Sequence, residues 1–121
     1  MLLIVSAVSI CQLLHTVKYH FSNEYDLQAG IAKLLIDEGV VFEREVRINR
    51  QDRLDFLTKE GIAIEVKVDG TLTSVTRQLY RYAGRPEVRH LILVTTRTKH
   101  RQIPRVINTK PVYLVELSPL I

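Results

Sequence analysis

Cysteine is almost absent from this chain: Cys11 is the single one among 121 residues. One cysteine excludes an internal disulfide and any cysteine-rich metal site, and it leaves a reducing compartment such as the cytoplasm as the expected setting. Lying in an apolar run, Cys11 reads as a small buried hydrophobe. Linkers are missing too. No Gly/Ser-rich stretch, internal repeat or low-complexity segment divides the sequence, and its length suits one domain with one core. Charge is missing from residues 1–14, MLLIVSAVSICQLL. No Lys or Arg precedes Lys18, so the basic start of a secretory signal is lacking. The run meets Gln12 and His15 before reaching the roughly 20 apolar residues of a membrane helix, and no membrane partner is expected. Residues 1–21 therefore read as an apolar extension packed on the domain or at an interface, strand or helix, and as a candidate homodimer surface. Residues 22–121 read as the domain proper.

What is present is globular in composition, with 46% apolar and 25% charged residues. Lys and Arg number 17 against 13 acids, for a net charge of +4 and a pI near 9.4. That balance permits nucleic acid without requiring it. Arg77, Arg81, Arg85 and Arg89 recur every four residues, and Arg97, Lys99, His100, Arg101 and Arg105 follow. The acids lie mostly in the first two thirds. A basic C-terminal half beside clustered carboxylates suits metal-assisted phosphodiester chemistry; solvated charged faces account for it equally well.

The pattern predicts a mixed sheet flanked by helices. Ser22 or Asn23 can cap a helix whose Leu27, Ile31, Leu34 and Leu35 share a face and which Gly39 ends. Strands are expected over 40–48, 53–58 and 62–68, with a turn at Gln51-Asp52 and a hairpin through Lys59-Glu60-Gly61. A helix over 71–84 then leads to a buried strand at 91–95, a basic loop or short helix at 97–107, and a strand at 111–117. The first three strands suit an antiparallel meander, and the crossover helix favours parallel pairing.

Chemistry concentrates on the middle strands. Glu65 and Lys67 are two residues apart and share a sheet face, with Asp55 one hairpin away. Two carboxylates and an amine beside an apolar core are costly unless they pair or hold a cation. Carboxylates suit Mg2+ or Mn2+, and a lysine beside them can neutralise charge developing on a phosphoryl group. A cross-strand ion pair on a solvated face is the plainer alternative. Glu24 falls with Leu27, Ile31 and Leu35 on the face directed at the sheet, whereas Asp26 falls with Lys33 and Asp37 towards solvent.

Asp55, nine residues, then Glu65-Val66-Lys67 resembles the D-x(n)-E-x-K signature of the PD-(D/E)XK nuclease superfamily. The order helix, three strands, helix, strand resembles its restriction-endonuclease-like αβββαβ core. Gln78-Leu79-Tyr80-Arg81-Tyr82 resembles the Q-x-x-x-Y element of its exonuclease-like branches, and the small size is similar to that of Holliday-junction-resolvase-like members. Leu54 stands where the motif name has proline. The resemblance spans about residues 22–96. It implies a metal-dependent nuclease, a phosphodiesterase acting on DNA for preference, directed by structure or ends. It implies that Asp55, Glu65 and the Val66 carbonyl hold the ion, with Glu24 binding it directly or through water. Lys67 would serve the reaction, and Gln78 and Tyr82 would steady the site. Arg77, Arg81, Arg85, Arg97 and Arg101 would grip the nucleic acid. The rival classes are a non-catalytic nucleic-acid binder and an assembly protein that keep the fold.

Overall fold

The structure, a computed structural model, describes residues 4–118; residues 1–3 of the apolar run and the last three of the domain lie outside it. The chain is α/β. Helices α1 (Ala7–Leu14), α2 (Glu24–Asp37) and α3 (Leu72–Ala83) accompany strands β1 (Phe42–Arg47), β2 (Arg53–Thr58), β3 (Ile62–Lys67), β4 (His90–Thr95), β5 (Val106–Ile107) and β6 (Lys110–Glu116). The strands form one mixed sheet in the order β1-β2-β3-β4-β6-β5. The β1-β2-β3 meander is antiparallel, while β3, β4 and β6 run parallel. Among the described residues no helix is long and apolar enough to cross a membrane.

Strand alternation sorts the core into two layers. Ile62, Ile64 and Val66 of β3, with Ile92 and Val94 of β4, pack against α1 and α2. Ala63, Leu91, Leu93 and Val112 pack on the other face against Val75, Leu79 and Tyr82 of α3. Helix α2 starts where Asn23 Oδ1 accepts the Asp26 N–H, and Asp26 in turn accepts from Ser22. It stops at Gly39, whose φ of +77° is open to glycine at no steric cost. In the β2–β3 hairpin Gly61 has φ +85°, and a Cβ there would lie 2.9 Å from the Glu87 carbonyl oxygen, so only glycine fits.

The apolar N-terminal run, expected on the domain or at an interface, packs its described part on the domain. Its helix α1 is capped reciprocally by Ser6 and Ser9, and Ala7, Ile10 and Leu14 are buried in the same core layer as α2. One expectation changes: the first strand runs Phe42–Arg47 rather than over 40–48, and inside it Glu45 takes the left-handed conformation, φ +55°, which is uncommon for a residue with a side chain. Around Glu45 and the facing Asp55 the β1–β2 ribbon rolls over. Phe42 and Phe56 pack in the α1/α2 layer, whereas Val46 and Leu54, at same-face spacing, pack in the α3 layer.

Ile10 is 1% exposed, so Ile10→Ala should cost about 2–4 kcal/mol of stability in urea denaturation. A variant as stable as wild type would show that α1 packing contributes nothing to the fold.

Candidate active site

The β2–β3 ladder is regular at Phe56–Ile64 and Leu57–Ala63 and stops before Asp55 and Glu65. There the side chains take over the backbone's hydrogen bonds. The Asp55 N–H donates to Glu65 Oε1 at 3.2 Å, and the Val66 N–H donates to Asp55 Oδ2 at 2.8 Å. Each carboxylate is held by the partner strand, and both lie on the α3 side of the sheet. The neutral and cationic groups that complete the cluster come from β3 and α3. Lys67 Nζ stands 3.3 Å from Glu65 Oε2, and the Tyr82 hydroxyl donates to the same oxygen at 3.1 Å. Tyr82 also lies 3.2 Å from the Arg53 carbonyl oxygen, so it ties α3 to both strands.

Electrostatics follow from this crowding. Burial pushes the Glu65 carboxyl up to about 8, with Asp55 adding to the rise and Lys67 opposing it. Burial likewise pushes Asp55 up to about 6, against the Val66 N–H that favours its anion. The two titrate as a pair. Burial also holds the Tyr82 phenol far above its ordinary range, with Glu65 adding to the rise, so this hydroxyl remains a donor.

Glu24 reaches the site by an unexpected route. Its helix packs on the opposite face of the sheet from Glu65 and Lys67, because an apolar stripe determines which side of a helix is buried but not which face of the sheet covers it. Glu24 sits in the first turn of α2 at the C-terminal end of β3, where its Oε1 accepts the Val68 N–H at 3.3 Å. From there it lines a cleft of about 310 Å³ together with Lys67, Asp69, Ser74, Gln78 and Arg81. Asp55 and Glu65 do not line this cleft; Lys67 joins it to them. The expected cluster of three carboxylates is therefore corrected to a pair with Glu24 standing off. Among the described residues no three acidic, histidine or cysteine side chains converge closely enough to hold a metal by themselves.

The donor set still fits a hard cation. Two adjoining carboxylates, each with its charge incompletely offset, and the nearby Val66 carbonyl are oxygen ligands. Magnesium is commonly held by one or two carboxylates with water completing its shell.

Comparison with protein-family models, curated proteins and solved structures finds no match to this chain. The site is therefore read from its own geometry.

The arginines behave differently from a free phosphate-gripping set. Arg81 binds Asp52 through Nε and Nη2, and Asp52 is 3% exposed. Arg85 pairs with Glu87, Arg97 with Asp69, and Arg101 with Glu116 through both ends of its fork. Only Arg77 of the five has no ion pair among the described residues. Except for Glu87, two residues from Arg85, their partners lie far away in sequence, so the spacing of the arginines carried no sign of them. Gln78 sits beside Asp52, whose carboxyl is held below its ordinary range chiefly by Arg81.

Sequence reasoning missed two residues. Asp52, read only as a turn former, is the buried anchor for Arg81 and also accepts from Asn49. His100, read as one of a basic run, is buried. Its Nδ1 lies 2.6 Å from Thr95 Oγ1 and its Nε2 lies 2.7 Å from the Gly70 carbonyl oxygen. Nothing in local sequence distinguishes it from its charged neighbours.

Both carboxyls of the pair keep protons in the folded chain at pH values where an unfolded chain has released them. Their contribution to the stability of metal-free protein is thus fully present below the ordinary carboxylate range and is lost as pH rises through about 6 and then about 8. In chelator, the melting temperature should fall across that range, and Glu65→Gln should melt above wild type at its upper end. A wild-type melting temperature that climbs instead would show the pair to be stabilised as anions.

Proposed function

We propose that this chain is a divalent-metal-dependent nuclease that hydrolyses phosphodiester bonds, with DNA the favoured substrate and Mg2+ or Mn2+ the cofactor. The observation that carries the reading is the joining of Asp55, Glu65, Lys67 and Tyr82 at one break in a β-hairpin, beside an open cleft. A plain cross-strand ion pair would need neither two adjoining carboxylates nor a tyrosine donating to one of them. The arrangement resembles the PD-(D/E)XK nucleases in the motif, in the order of elements and in the position of the helical tyrosine.

Asp55, Glu65 and the Val66 carbonyl would hold the cation, with Glu24 reaching it through water. When bound, the metal supplies Lewis acidity and a water activated for attack. In hydrolysis water adds to phosphorus, the bond to the leaving sugar oxygen breaks, and that oxygen takes up a proton. Lys67 faces the cleft and can neutralise the negative charge that grows on the phosphoryl oxygens. Tyr82 fixes the Glu65 carboxylate, so its position costs no reorganisation during the reaction. Asp52 and Gln78 hold α3 against the start of β2, which keeps the Arg81 guanidinium at the cleft wall.

The test is magnesium- or manganese-dependent cleavage of DNA and RNA by the purified chain, compared with single-site variants. Asp55→Asn and Glu65→Gln should each lose activity by at least two orders of magnitude, and Lys67→Ala by about the same. Calorimetry with manganese separates their roles: Lys67→Ala should keep the metal that Asp55→Asn loses. A folded Asp55→Asn variant with full activity would refute the assignment.

A further inference from the structure

A second cleft, of about 400 Å³, opens beside the first and is lined by Phe21, Ser22, Asn23, Val68, Thr96 and Arg97. The two share a wall. Asn23 precedes Glu24, Val68 follows Lys67, and Arg97 Nη2 stands 3.6 Å from Asp69 of the first cleft. Their chemistry differs. The first is lined by two carboxylates, Glu24 and Asp69; no carboxylate lines the second, whose one charged residue is Arg97.

Three features of this second cleft point to the same ligand. Phe21 is partly buried against the core, so its ring is a fixed surface rather than a mobile one. The Arg97 guanidinium is aimed by its Nε, which donates to the Val68 carbonyl oxygen at 2.9 Å, while half of the side chain stays exposed. Asn23 uses its Oδ1 on the Asp26 N–H at 2.8 Å, and its amide NH2 has no hydrogen-bond partner among the described residues. An aromatic face, a planar cation and an amide donor in a concavity of ligand size are what an unstacked nucleotide needs. A duplex offers none of its base faces to such a ring, whereas a single strand offers every one.

We infer that this cleft receives one nucleotide of a single-stranded segment, its base against Phe21 and its phosphate on Arg97, next to the phosphodiester that enters the Lys67 cleft. The inference rests on the nuclease reading and adds a substrate class to it: a single strand, or the frayed end or flap of a duplex, rather than an intact double helix.

The experiment is fluorescence anisotropy of labelled DNA with the full chain in chelator, so that binding is read without cleavage. A single strand of about ten nucleotides is compared with a blunt duplex of the same sequence. The single strand should bind more tightly. Phe21→Leu should weaken it about tenfold, the share that stacking of one base carries, and Phe21→Tyr, which keeps the ring, should restore it. Arg97→Gln should lower affinity and reduce the salt slope by about one. Tighter binding of the blunt duplex, or equal affinity for wild type and Phe21→Leu, overturns the inference. If Phe21→Leu binds as wild type and still cleaves with magnesium, the cleft assignment alone falls. If Phe21 and Arg97 govern single-strand binding but wild type cleaves no nucleic acid, the nuclease reading falls and the binding cleft stands.

Discussion

At the end of the β2–β3 hairpin two carboxylates stand in for backbone. An antiparallel pair normally exchanges N–H···O=C bonds through its whole length. Here Asp55 and Glu65 each accept an N–H from the opposite strand instead. The exchange opens the ladder without orphaning the two donors, and it forces two like charges together at the edge of an apolar layer. Such a pair is expensive to bury. Lys67 and Tyr82 lower that cost at Glu65, and the Val66 N–H with the charge of Lys67 lowers it at Asp55. The direction of the pKa shifts and the dependence of the carboxylate pair on α3 both follow from this one break in pairing.

Helix α3 is the second support, and a single turn of it does most of the work. Tyr82 holds Glu65 and the Arg53 carbonyl, while Arg81, its neighbour, holds Asp52 at the start of β2. Consecutive residues of a helix point about 100° apart, so the two contacts pin the helix about its own axis as well as against the sheet. An arginine spent on a buried carboxylate, as Arg81 is, is less available to solvent anions, and Arg85 and Arg101 are paired with more exposed acids. The net positive charge of the chain therefore overstates its free cationic surface. The basic groups that do face an opening, Lys67 and Arg81 in one cleft and Arg97 in the next, are each paired with a carboxylate as well.

The elements were readable where local chemistry decides them. Strict alternation and Gly61 marked β2 and β3 nearly to the residue, and Asn23 and Gly39 marked the ends of α2, because caps and positive φ values are local requirements. Glu65 and Lys67 were readable for a related reason, since a period-two strand fixes direction from spacing alone, whereas Asp55 and Tyr82 were picked out by the hairpin and by the motif resemblance. Three things were not. The run that forms α1 is apolar at almost every position, so no period separates helix from strand until Ser6 caps it. Glu45 carries no signature of a left-handed residue. And the stripe of Leu27, Ile31 and Leu35 gave the inward side of α2 but left open which sheet face it would cover, so Glu24 was expected above the carboxylates when it lies round the end of the strand. Asp52 and His100 were hidden for a third reason, since their partners Arg81 and Gly70 are about thirty residues distant in the chain.

The position of Glu24 ties the first cleft to the end of β3 rather than to its middle. Val68, the first residue beyond the strand, is gripped through its whole peptide: Glu24 takes its N–H, while Arg97 Nε donates to its carbonyl oxygen. Two residues on, His100 Nε2 reaches the Gly70 carbonyl oxygen, and Thr71 then caps α3. These contacts come from α2 on one face and from the segment after β4, so the turn from β3 into α3 is clamped from both sides. A loop so held is a poor hinge and a good wall. It divides the acidic cleft of Glu24 and Asp69 from the cleft of Phe21 and Arg97, and it fixes the distance between them. Val68 thus does by backbone alone what the flanking side chains could not do separately: it sets the cleft of Glu24 and Asp69 and the aromatic, basic concavity in one register along the same strand end.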